Sequence, residues 1–183
     1  MSGSALILVD IQNDYFEDGC WSVHEMEAAA QNAAALLKRA RTRGDMVIHI
    51  WHKMPSDAAP FFRPGTPGAE INNAVKPAEG EAVIAKSRPN SFVGTDLEER
   101  LRSAEVEKVI ICGAMSQMCI DATTRGAVDL GFKVTLAHDA CGARAVSFGG
   151  VDVPAELVHA AFMGPLASSY AAVKCTAEIL AGD

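Results

Sequence analysis

The chain has 183 residues, 49% hydrophobic and 21% charged, with a formal net charge of -7. This length and balance suit one folded domain, 1–183, with a sizeable core, and an acidic chain without a basic block is not expected to bind nucleic acid. No apolar run approaches the roughly 20 residues that span a bilayer, and Met1-Ser2-Gly3-Ser4 carries no basic leader, so a cytoplasmic protein without membrane contact is expected. The five cysteines form no CxxC pair, which points to reduced thiols rather than disulfides or a zinc knuckle.

Ala5-Leu6-Ile7-Leu8-Val9 reads as a strand buried on both faces, and Asp10 ends it. A carboxylate there lies at the carboxyl edge of a parallel sheet, where open α/β folds bind ligands; the alternative is a turn former. Tyr15, Phe16 and Trp21 follow in a loop, as pocket walls or as cover for the sheet edge. Ser22-Val23-His24-Glu25 matches a capping box, and Met26, Ala29, Ala30, Ala33, Leu36, Leu37 and Ala40 repeat at helical spacing. Arg41 to Gly44 closes that helix with positive charge and a glycine. Met46–Trp51 is the second strand. His49 and His52 raise the question of a metal, but residues three apart on a strand face opposite sides and no third ligand stands at a credible spacing; no metal is expected.

Residues 53–80 form a long Pro- and Gly-rich connection carrying Phe61 and Phe62, the pattern of a lid or an interface arm. Ala82–Ala85 is a short strand ended by Lys86. Thr95-Asp96-Leu97-Glu98 matches a second capping box, opening a helix through Leu101. Val109-Ile110-Ile111-Cys112 is another continuous apolar strand; it turns through Gly113-Ala114 and becomes helical around Cys119. Cys119 is a nucleophile candidate, because free amides at a helix start favour a thiolate or an oxyanion; the alternative is a small buried hydrophobe like Cys112. Phe132–Ala137 is the fifth strand, ended by His138-Asp139. Pro154 suits a helix N1 position, with Leu157, Val158, Ala161 and Phe162 as the apolar face. Tyr170–Val173 is a sixth strand, and a tail helix runs through Leu180. The alternation predicts an α/β fold: a three-layer α/β/α sandwich around a mostly parallel six-stranded sheet. No G-x-G-x-x-G follows a strand, so dinucleotide binding has no support.

Asp10 and Lys86 end strands, and Cys119 lies just past a third. In a parallel sheet those ends share one edge, so the three can converge. Cysteine supplies the nucleophile, aspartate can move its proton, and the lysine charge favours both anions.

At this point the chain resembles the isochorismatase-like cysteine hydrolases, a Rossmann-like superfamily that includes nicotinamidases, carbamoylsarcosine and ureidoacrylate amidohydrolases, and streptothricin hydrolase. The matching stretches are Leu8-Val9-Asp10-Ile11-Gln12-Asn13-Asp14-Tyr15-Phe16, Lys86 with Asn90-Ser91-Phe92 and Thr95-Asp96-Leu97, Gly113 through Thr124, and Asp139-Ala140. The resemblance implies Cys119 as nucleophile, Asp10 as general base and Lys86 as its assistant. It implies a cis peptide at Ala114–Met115 that aims the Met115 and Cys119 amides into an oxyanion hole. Nicotinamidases hold a metal with an aspartate and two histidines near the second strand's end. Here Ile50 stands at the aspartate's place, His52 is kept and the second histidine is missing, which argues against zinc and against nicotinamide. Isochorismatases that cleave a vinyl ether lack the cysteine, so its presence favours a C–N bond. The metal-free, streptothricin-hydrolase-like branch looks nearest.

The expected protein is a cofactor-free amidohydrolase of small amides, lactams or ureido compounds, assembled as a homodimer or homotetramer. Phe16, Trp51 and Phe92 are the candidate walls of the substrate pocket. Competing readings are a non-catalytic binding protein on the same fold, a thiol redox protein, and a cysteine hydrolase with His52 or His138 as base.

Overall fold

A computed structural model describes residues 3–182. The main sheet contains β1 (Ser4–Val9), β2 (Met46–His52), β3 (Ala82–Lys86), β4 (Lys108–Ala114), β5 (Lys133–Gly142) and, after the hairpin strands β6 (Val146–Phe148) and β7 (Val151–Val153), β8 (Ala172–Lys174). Its order is β3-β2-β1-β4-β5-β8, and every pair is parallel. Helices α1 (Met26–Arg43), α2 (Leu97–Ser103), α3 (Asp121–Asp129), α4 (Ala155–Ser169) and α5 (Thr176–Ala181) complete the fold.

Strand alternation sends successive residues to opposite faces, which builds two apolar layers. Ile7, Ile48, Ile50, Ile111 and Leu136 pack with Leu97, Leu101, Ala127 and Leu166 of α2, α3 and α4. Leu6, Leu8 and Val47 pack on the other face with Ala30, Ala33, Leu36 and Leu37 of α1 and Ile179 of α5. Central strands buried on both faces must be apolar where they are buried, and β1 is from Ala5 to Val9.

The chain leaves β1 toward β2 and leaves β4 toward β5, in opposite directions, although β1 and β4 are neighbours. That reversal opens a crevice beyond their carboxyl ends, the place where such sheets bind ligands. Gly113 closes the floor of the crevice. Its φ is +127°, and a Cβ there would lie 1.9 Å from the Val9 carbonyl oxygen, so no side chain fits.

Several boundaries differ from expectation, each for a local reason. The Ser22–Glu25 capping box does not form: His24 is held extended by a bridge to Ala143, so α1 starts at Met26 after a left-handed Glu25. Gly44 does end α1, in the left-handed conformation expected of a C-cap. In the second box Thr95 Oγ1 donates to the Ser91 carbonyl (2.6 Å) and receives the Leu97 amide at 3.4 Å; α2 starts at Leu97. Pro154 is the cap rather than N1, and its carbonyl takes the Leu157 and Val158 amides. β5 runs to Gly142 because Cys141 and Gly142 pair with Gly113 and Ala114 past a bulge. The last strand is Ala172–Lys174. The β6–β7 hairpin, turning on Gly149-Gly150, was not anticipated.

The 53–80 connection is a strap tied to the loop after β1. Asn13 and Asn72 amides bond the Glu70 and Ile11 carbonyls, Gln12 bridges Ile71, and the Phe62 amide donates to Asp14 Oδ2 at 2.6 Å. Phe62 is fully buried and Phe61 half-buried, stacked against Trp21 and Tyr15 of the same chain.

Candidate active site

Asp10, Lys86 and Cys119 meet at the crevice. Asp10 follows β1 and is held by its amide to the Ile50 carbonyl (3.1 Å). Its φ is +52°, a conformation that aspartate tolerates better than most residues. Lys86 is the last residue of β3, and the turn after it is clamped to α3: Ser91 and Thr123 share a buried hydroxyl contact of 2.8 Å. Cys119 lies in a π turn, Ser116–Ile120, between β4 and α3, rather than in a regular helix start. Single π turns recur at functional sites. The Ala114–Met115 peptide is cis. The Met115 carbonyl takes the amides of Met118 and Ile120, on either side of Cys119 in sequence.

Lys86 Nζ lies 2.7 Å from Asp10 Oδ2, 3.1 Å from Cys119 Sγ, 3.0 Å from His52 Nδ1 and 3.1 Å from the Arg88 carbonyl. The Asp10 and Lys86 side chains are both 0% exposed. Lys86 meets Asp10 Oδ2 as a short buried ion pair, and Asp10 Oδ1 has no directed hydrogen bond among the described residues.

Burial alone would pull the Lys86 ammonium down, but the Asp10 charge, joined by that of Cys119 where it is ionised, outweighs it and holds Lys86 above its ordinary value. The Cys119 thiol is pushed far up, first by burial and then by the Asp10 charge; Lys86 opposes both without cancelling them. The Cys119 side chain therefore rests as a thiol. The atoms of Asp10, His52 and Cys119 that could ligate a metal all lie within 4.8 Å of one another. The Lys86 ammonium already contacts all three, so a cation there would have to displace it.

The expected wall residues are scattered. Trp51 and His52 point to opposite faces of β2, and the Trp51 indole donates to the Ala69 carbonyl of the strap. Phe16 packs with the α1-side layer. Phe92 is half-buried, stacks with Phe132 at 6.1 Å and packs on the α2-side layer, which also contains Cys119. His49 is 1% exposed and pairs with Glu81 at 2.9 Å, remote from His52. His138 faces His159 in a separate cavity of about 370 Å³ that also includes Asn32 and Asp139.

Two residues that the sequence named without a settled role stand next to the three. Tyr15 is 2% exposed, and its phenol is held well above its ordinary value by burial and by the charges of Asp10 and Cys119. It joins Phe61 and Phe62 in an aromatic cluster whose Phe62 ring lies 6.2 Å from His52. His52 is the other; its register partner is Lys86.

Among the described residues no helix is long and apolar enough to cross a membrane. The Isochorismatase domain model matches residues 4–177. The isochorismatase family protein YddQ of Bacillus subtilis is 46% identical over 97% of this chain and 98% of its own. Streptothricin hydrolase of Streptomyces noursei is 38% identical over 74% of this chain and 48% of its own. N-carbamoylsarcosine amidase of Arthrobacter sp. is 28% identical over 76% of this chain and 60% of its own. A crystal structure from Oleispira antarctica, described as an isochorismatase hydrolase, superposes with a TM-score of 0.95 at 47% identity, covering 98% of this chain and 96% of that one. The chain belongs to the isochorismatase family.

Proposed function

We propose that this protein hydrolyses a C–N bond in a small amide, lactam or ureido compound through a thioester on Cys119. The observation that carries the reading is the buried contact set of Lys86 with Asp10 at 2.7 Å and Cys119 at 3.1 Å. The kinship with an amidase and a streptothricin hydrolase supports the bond type.

Cys119 Sγ attacks the carbonyl carbon while Asp10, through its bare Oδ1, takes the thiol proton. The carbonyl oxygen becomes an oxyanion held by the Met115 and Cys119 amides, and losing one such donor typically costs about 100- to 1,000-fold in rate. The intermediate collapses, Asp10 gives its proton to the departing nitrogen, and the amine leaves. Water then attacks the thioester with Asp10 as base, and the proton returns to Sγ as the acid departs. The Lys86 ammonium offsets the negative charge that moves between Asp10 and Sγ. No step calls for a cofactor.

A panel of maleamate, N-carbamoylsarcosine, streptothricin and simple lactams, assayed for released amine or ring opening, tests the reading. Turnover of at least one compound is expected. Amine release by the Cys119→Ser and wild-type proteins at equal rates would contradict the thiol's role, and a wild-type protein that binds panel compounds without turning them over would favour a binding protein.

A further inference from the structure

An ammonium has three hydrogens to direct. Around Lys86 Nζ four acceptors compete for them: Asp10 Oδ2 at 2.7 Å, His52 Nδ1 at 3.0 Å, Cys119 Sγ at 3.1 Å and the Arg88 carbonyl at 3.1 Å. The Asp10 ion pair is the shortest of them, and the ammonium is held among four contacts, one of them on Cys119. The Arg88 contact comes from the chain just after Lys86 itself. The His52 contact comes from the neighbouring strand and, with the Asp10 ion pair, resists rotation of Nζ away from Cys119.

His52 is built to serve as a fixed post. Its amide donates to Gln12 Oε1 at 2.7 Å, and its carbonyl accepts from Gln12 Nε2 at 3.1 Å. Gln12 is fully buried, stands two residues past Asp10, and also donates to the Ala69 carbonyl of the strap at 2.8 Å. One side-chain amide therefore locks the end of β2 to the turn that carries Asp10. His52 pairs in register with Lys86, so the two side chains leave the sheet on the same face. Because Nδ1 must accept from the ammonium, the ring carries its proton on Nε2. The charged and titratable neighbours facing the ring are Lys86 from β3, Asp10 from the turn after β1 and Cys119 from the π turn.

The geometry points to His52 as the positioning residue that orients the Lys86 ammonium toward Cys119, with no proton to transfer of its own. This rests on the assignment of Cys119, Asp10 and Lys86 above. Without the imidazole, Nζ keeps its Asp10 and Arg88 contacts but has room to turn from Cys119, and the developing thiolate is less well met by its cation.

Iodoacetamide, itself a small amide, reads this without a known substrate. Sγ displaces iodide at the methylene carbon and the thiol proton passes to Asp10. The rate at Cys119 is followed by peptide mapping at neutral pH, on proteins shown by thermal melts to be folded at the assay temperature. His52→Ala is expected to slow labelling about tenfold, and His52→Asn, whose amide oxygen replaces the Nδ1 lone pair, to recover to within about twofold of wild type. His52→Ala combined with Lys86→Met is expected to label no more slowly than Lys86→Met alone, because His52 acts only through Lys86.

Labelling of His52→Ala at the wild-type rate would overturn the inference, as would additive losses in the double variant. Failure of His52→Asn to recover would also overturn it and make the imidazole itself the base. If Lys86→Met labels like wild type, the assignment of Lys86 falls first; if Lys86→Met is slow and His52→Ala is not, only the role of His52 falls.

Discussion

Cys119→Ala lowers turnover by about 10,000-fold or more, the scale on which removal of a covalent nucleophile acts, and leaves the fold in place. The size follows from the site. Every bond made and broken in the proposed reaction passes through Sγ, and no second cysteine stands beside Asp10 and Lys86. Cys112 is sealed in β4, and Cys141 points its thiol at the Ala137 carbonyl at 3.2 Å. Cys119 is small and 4% exposed, so alanine leaves only a small void. Far-ultraviolet circular dichroism and a thermal melt should match wild type within a few degrees, while amine release falls to background. Retained turnover would remove the thioester from the mechanism.

Lys86→Met is the second large effect, and it acts on both stability and rate. Methionine fits the stem of the lysine and deletes its charge, leaving the Asp10 carboxylate buried with no cation in contact. Breaking a fully buried pair in this way costs about 3–5 kcal/mol. A urea titration should show that loss as an earlier midpoint with an unchanged slope. Turnover should fall about 100- to 1,000-fold, because the charge moving from Asp10 to Sγ and back loses its fixed counter-ion. A variant as stable and as active as wild type would mean that the pair carries neither role.

What could be read from the sequence divides along a physical line. Ala5–Val9 and Val109–Cys112 announced themselves as continuous apolar runs because both faces of a central parallel strand are buried. From there Asp10 and Lys86 followed as strand ends, and one sheet edge was enough to bring them toward Cys119. The His52–Lys86 contact needed the strand register, which apolar runs do not encode. Period-two reasoning separated His49 from His52 but could not say that Glu81 awaits the one and Lys86 the other. Tyr15 required knowing how the strap folds over the first loop. Phe92 packs on the layer that contains Cys119, and an aromatic in a turn near Lys86 serves a core as well as a pocket. The β6–β7 hairpin was legible: Val146-Ser147-Phe148-Gly149-Gly150-Val151-Asp152-Val153 carries a Gly-Gly turn between short β-prone runs. The capping pattern at Ser22 was real as sequence and lost to the bridge between His24 and Ala143.

The most direct test of the central claim is partitioning between water and hydroxylamine. Two amides with the same acyl group and different leaving amines are turned over with hydroxylamine present, and the hydroxamate-to-acid ratio is measured for each. If both pass through one thioester on Cys119, the amine has left before the acceptor arrives, and the two ratios are equal. Ratios that depend on the leaving amine would mean that water attacks the amide directly, and the covalent role of Cys119 would be wrong.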